Sequence, residues 1–213
     1  NEGHAAGSEP LHPNHHLVCR CAATIRHNRV RDLLADALRQ AAPNARVRVE
    51  QSPDNNGLPT SRAWGVRGAM APGDVTFEPV GQPPMYLDVV ISARSTHRNM
   101  SPAASAYHSK LVARHRFLHP RGDGALSPHE AAHRAPHANI SYIPMAFSTL
   151  GDPAPLTVST LRRLLGPGGL KRFLAGAARA IHVAQADVVA RSRYAHLQGR
   201  RSLDPDAPRA STA

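Results

Sequence analysis

Lysine is nearly missing from this strongly basic chain. Of its 26 Lys and Arg residues only Lys110 and Lys171 are lysine; the rest are arginine. A bias toward arginine, alanine and proline can reflect codon composition alone, so a lysine that stands against it is more informative than usual. Aromatic residues make up 4% of the chain, which argues against a platform that stacks single-stranded bases. The cysteines are Cys19 and Cys21. Two residues apart, they have poor geometry for a bridge, and a secreted disulfide scaffold is excluded. No apolar run approaches the length of a membrane span, and no signal-peptide apolar core is seen. The chain opens on Asn rather than Met, and we expect it to be part of a longer polypeptide.

What is present is positive charge. The 26 cations face 15 acids, for a net charge of +11 over 213 residues. That balance predicts a polyanionic partner, nucleic acid first and an anionic membrane surface second. The length suits one domain with a sizeable core, with room for an appended helical piece. The 14 histidines fall mostly in loop-like stretches without helical i, i+4 pairing, and read as surface residues.

Residues 1–14 are rich in Gly, His, Pro and Glu and read as disordered. Residues 29–41 are predicted helical, with Val30, Leu33, Leu34, Ala37 and Leu38 on one face. Pro43-Asn44 ends that helix, and 45–50 alternates as a short strand. A long loop follows over 51–71, turning at Pro53-Asp54-Asn55-Asn56-Gly57. Strands are expected over 74–78 and 85–92, joined through Gly81-Gln82-Pro83-Pro84. Ser101-Pro102 starts a helix, serine as N-cap and proline at the first helical position, running to 116. A loop rich in His, Gly and Pro covers 119–137. Residues 139–148 form a strand whose Pro144 indicates an edge or a bulge. Two helices close the chain over 158–165 and 170–197, and the tail from Gly199 reads as disordered. The resulting class is α/β, a mixed central sheet in the order αβββαβ plus C-terminal helices. The expected divisions are 1–16, a core over 17–152, a helical extension over 153–198, and the tail 199–213.

Two carboxylates stand out. Asp74 and Asp88 lie 14 positions apart, each in an apolar, β-branched run that reads as a half-buried strand. A buried carboxylate is costly unless it is paired or binds a metal. Two at one sheet edge, with the ammonium of Lys110 on the next helix, make a candidate magnesium site for phosphodiester cleavage. The plainer reading is that both are strand-end aspartates bonded to amides, and that Lys110 is a solvated helix lysine. Residues 103, 106, 107 and 110 share one helix face. Glu78, four residues after Asp74, is either a third ligand or a strand-end charge. The arginines over 161–172 and 191–201 are either a solvated helix face or a phosphate-tracking surface.

The order αβββαβ, with acids on the second and third strands, resembles the PD-(D/E)xK restriction-like nucleases. That family usually places its lysine two residues after the second acid, where this chain has Val90. In one branch the lysine comes instead from the following helix: the restriction-like endonuclease at the C-terminus of site-specific non-LTR retrotransposon proteins. The chain looks like that branch over about 17–151. The likeness rests on His27-Asn28-x-Val30-Arg31-Asp32, Pro72-x-Asp74-Val75, Leu87-Asp88-Val89, Lys110 and Tyr142-x-Pro144-Met145-x-Phe147-x-x-Leu150-Gly151. It departs where Gly73 separates the proline from the first aspartate, where Tyr107 stands in place of an acid, and where His115 replaces a tyrosine.

The resemblance implies a metal-dependent DNA endonuclease domain of a nuclear, polymerase-containing polypeptide, nicking target DNA to prime reverse transcription. Asp74 and Asp88 would bind Mg²⁺ or Mn²⁺ and Lys110 would serve the chemistry. DNA, and with it the element's RNA, would be the partners, with no membrane. The chain holds no Tyr/Phe-x-Asp-Asp motif, so it is not itself the reverse transcriptase. A zinc knuckle precedes the nuclease in that family. His15, His16, Cys19 and Cys21, with His27, are weak zinc candidates, because the upstream cysteine pair is missing and Cys19-Arg20-Cys21 is tighter than a standard knuckle. The alternative is a degenerate nucleic-acid-binding relic of such a domain, which Tyr107 and Val90 favour.

Overall fold

The computed structural model describes residues 20–49, 73–118 and 141–202. The expected loops over 51–71 and 119–137, residues 1–14, the part of the expected tail from 203 onward, and the zinc candidates His15, His16 and Cys19 lie outside the described residues. Within them the order is helix α1 (Arg20–Ala41), strands β1 (Arg46–Val49), β2 (Val75–Glu78) and β3 (Met85–Ser92), helix α2 (Pro102–Leu118), strand β4 (Ser141–Ser148) and helix α3 (Pro155–Ser202). The strands form one mixed sheet in the order β1-β2-β3-β4. The first two pairings are antiparallel, and β3 runs parallel to β4 with α2 as the crossover.

Strand alternation divides the sheet into two faces. Val75, Phe77, Leu87, Val89, Met145 and Phe147 turn to one side, into a core shared with Val30, Leu34 and Leu38 of α1 and Leu161, Phe173, Ala177 and Ile181 of α3. The opposite face receives α2, whose Ala103 and Ala106 pack with Ala146, Ala154 and Val90. Small residues let α2 lie close to the sheet. That closeness brings the longer side chains of the same helix face down to the strands.

Helix α1 starts nine residues before the expected position 29. No N-cap or breaker marks Arg20, and the added turns are held from a distance. Ile25 packs on Val188 of α3, and Arg29 donates to Asp187 at 2.7 Å. Helix α2 begins as expected, with Ala104 N–H donating to Ser101 Oγ at 3.2 Å. Pro144 sits on the edge strand. Its neighbour of the same parity, Ala146, sends its N–H outward to Thr157 Oγ1 at 3.0 Å, so proline at 144 gives up no ladder bond to β3.

The two expected C-terminal helices form one run, broken at Gly166 (φ 68°, ψ 172°) with Pro167 after it. Glycine supplies the left-handed exit from the first segment, and proline starts the second at its first position. The second segment therefore begins three residues before position 170 and continues through 199–202, which had read as tail. Among the described residues no helix is long and apolar enough to cross a membrane.

Candidate active site

Asp74 stands one residue before β2. The β2–β3 register pairs Val75 with Leu87, so one further step sets Asp74 opposite Asp88. Both are buried, at 7% and 8% exposure. Asp74 Oδ2 accepts the Val89 N–H at 2.6 Å. The carboxylate thus takes the place of the next ladder carbonyl, just where β2 begins. Its Oδ1 lies 3.2 Å from His27 Nε2 of α1. Gly73 is what permits this entry: a Cβ there would come within 2.9 Å of the Leu87 N and O.

Asp88 projects from the centre of β3 toward α2. Lys110 Nζ lies 2.7 Å from its Oδ2, and the Tyr142 hydroxyl of β4 donates to the same oxygen. Among the described residues no hydrogen bond reaches Asp88 Oδ1. Burial, and then the negative charge and hydrogen bond of Asp88 and the charge of Asp74, push the Tyr142 hydroxyl well above the usual tyrosine range. Tyr142 therefore keeps its proton and donates a hydrogen bond to Asp88.

Arg114, one helical turn beyond Lys110, lies over the Tyr142 ring with its guanidinium carbon 5.2 Å from the ring centre. Burial lowers its pKa, partly offset by Tyr142 and Tyr86. His115, the residue expected to replace a tyrosine, is exposed; the buried neighbour Arg114 is the one that reaches the site's tyrosine. Tyr107 packs against the alanine cluster, and burial raises its pKa. Glu78 is occupied elsewhere. It forms an ion pair with Arg48 and lies four residues along from Asp74, about 13 Å at strand rise. The strand-end reading of Glu78 holds in this arrangement.

No protein-family model matches the chain, and no curated protein does. The site must accordingly be read from its own chemistry. Among the described residues no group of three or more His, Cys, Asp and Glu side chains gathers to hold a metal. Two neighbouring buried carboxylates are nevertheless a fitting donor set for Mg²⁺, which binds through one or two carboxylates and keeps several waters. The Lys110 ammonium touches Asp88 and the His27 imidazole touches Asp74. Of the zinc candidates, His27 faces Asp74 and Cys21 lies in the first turn of α1.

Asp74, Asp88 and Lys110 were all picked from the sequence. The sequence marks His27 as part of a pattern and as a weak zinc candidate, and Tyr142 as part of a pattern alone; it does not single out Arg114. The available signals were parity, since Tyr142 shares the strand face of Pro144 and Ala146, and the i, i+4 spacing of Lys110 and Arg114. The hydroxyl matters to the fold as well. Tyr142→Phe removes one donor from a buried carboxylate and is expected to lower stability by about 1–3 kcal/mol. Urea unfolding at neutral pH measures it, and an unchanged midpoint and slope would show that the bond contributes nothing.

Proposed function

We propose that this chain is a metal-dependent DNA endonuclease domain that nicks target DNA for retrotransposon insertion, within a longer, nuclear, polymerase-containing polypeptide. The observation that carries the nuclease reading is the meeting of Asp88 with Lys110, 2.7 Å apart, beside an Asp74 in register on the neighbouring strand. Val90 fills the usual lysine position, and it packs into the alanine cluster beneath α2. The ammonium then comes from the helix above and reaches the second acid from there.

Asp74 and Asp88 would hold Mg²⁺ or Mn²⁺, helped by a backbone carbonyl near Val89; when bound, the ion would polarise the scissile phosphate and make an attacking water more acidic. Lys110 would orient that water or neutralise charge that develops on the phosphate. Tyr142 keeps Asp88 in one orientation. His27 and the Val89 N–H do the same for Asp74, so both acids are preorganised by their neighbours.

A second reading keeps fold and charge without catalysis. Its support is that the Asp74–Val89 bond is what a purely structural strand-end aspartate would make, and that Tyr107 brings no further acid. Metal binding separates the two readings. Titration of Mn²⁺ into the protein should give saturable binding that Asp88→Ala abolishes. A wild-type chain that binds no Mn²⁺ would favour the relic.

A further inference from the structure

The nuclease reading leaves the outer face of α3 without a role. Between Asp152 and Asp187 the sequence has no acid, yet it holds Arg162, Arg163, Lys171, Arg172 and Arg179. All five side chains are exposed, and so is His182. Asp187 is itself neutralised by Arg29 at 2.7 Å. In the second helical segment Arg172 and Arg179 are seven residues apart, two turns, and therefore share one stripe. Leu170, Phe173, Ala177 and Ile181 occupy the buried face, so the stripe looks away from the core.

The direction of the helix adds a second argument. Gln185 donates to the Thr149 carbonyl at 2.6 Å, and Thr149 N–H bonds Ser92 O at 3.0 Å. Helix α3 therefore passes the end of β3 and β4, four residues beyond Asp88. From Gln185 it continues to Ser202, about 25 Å at helical rise. This stretch adds Arg191, Arg193, Arg200 and Arg201 with no acid after Asp187.

We infer that the outer face of α3 is a track for the phosphate backbone of duplex DNA, which leads the duplex to the end of the sheet that carries Asp74 and Asp88. Charge complementarity names the occupant: a regular polyanion along a one-signed helix face, bound through counterion release and tolerant of sequence. The inference rests on the DNA-binding part of the proposed function and is independent of whether the carboxylates still catalyse.

The test compares two double neutralisations that remove equal charge from the whole chain. Arg172→Gln with Arg179→Gln strips the track. Arg39→Gln with Arg46→Gln strips exposed cations at the far end of α1 and on β1. Binding to a short labelled duplex is followed by anisotropy over a salt series. The track variant should lose about tenfold in affinity, and its log–log salt slope should flatten by about two, whereas the control should stay within about threefold of wild type. Arg172→Lys with Arg179→Lys should bind as the wild type does. Equal losses in the two doubles would overturn the inference, since net charge alone would then explain binding. So would a wild type that binds no duplex, or a track variant that binds duplex normally but loses affinity for phosphatidylserine vesicles. A wild type that binds through the track yet never nicks would leave the track standing and refute the nuclease reading.

Discussion

Lys110→Ala is expected to abolish magnesium-dependent nicking while DNA affinity stays within about threefold of wild type, because only one of many cations is removed. The expectation follows from where Lys110 sits. It is one of two lysines in the chain, it is partly exposed, and its Nζ lies 2.7 Å from a carboxylate that is otherwise buried. A solvated helix lysine would project away from the sheet. This one lies on the face of α2 defined by Ala103 and Ala106, and it ends at Asp88 rather than in water. The loss should appear as a fall in turnover with unchanged DNA binding, the pattern of a group that acts on the reacting phosphate. If Lys110→Ala nicks as well as the wild type, the lysine has no part in the chemistry.

Gly73→Ala is expected to damage both fold and site. Its Cβ would meet the backbone N and O of Leu87 at 2.9 Å, atoms of the pair that ends the β2–β3 ladder, in a residue held on its other side by β4. Overpacking of this kind costs about 1–3 kcal/mol. Relief can come only by moving the entry to β2 away from β3, which would break the Asp74–Val89 bond and pull one carboxylate out of line. Gly168→Ala is the contrast. Its Cβ would find only the flexible end of Arg172, at 3.6 Å, and alanine in a helix gains up to about 1 kcal/mol over glycine. Thermal unfolding of the two variants should therefore move in opposite directions. An unchanged melting point for Gly73→Ala, with wild-type metal binding, would mean that the close approach to Leu87 is not what seats Asp74.

The elements that the sequence announces are those whose signals are local. Strand β3 runs from Met85 to Ser92 as expected, because Pro83-Pro84 bounds an apolar and β-branched run interrupted only by Asp88 before Ser92. Helix α2 starts at Ser101-Pro102, where capping chemistry marks it, and Gly166-Pro167 marks the break in α3. What escaped notice depends on partners far along the chain. The first turns of α1 are held by Val188 and Asp187, and Arg29 meets its aspartate across 158 positions. The hydroxyl of Tyr142 reaches Asp88 across 54.

The candidate site shows the same division. Asp74, Asp88 and Lys110 could be picked because charges in apolar runs and a rare lysine attract attention. Asp74 and Asp88 fall opposite each other because an antiparallel turn of fixed length joins their strands. Arg114 was passed over because an arginine on a helix ordinarily lies in solvent. Only the small residues at 103 and 106 bring α2 near enough to the sheet to bury it over Tyr142. Gly73 looked like a departure from a motif, and its meaning is visible only once the Leu87 backbone is seen beside it.

The central claim is that Asp74 and Asp88 together support metal-dependent cleavage of DNA. Nicking of supercoiled plasmid across a titration of Mg²⁺, repeated with Mn²⁺, tests it most directly. The account predicts open-circular product that rises with metal, disappears with a chelator, and is missing in Asp74→Asn and in Asp88→Asn. A folded protein that binds DNA and leaves the plasmid intact at every concentration of either metal would contradict it.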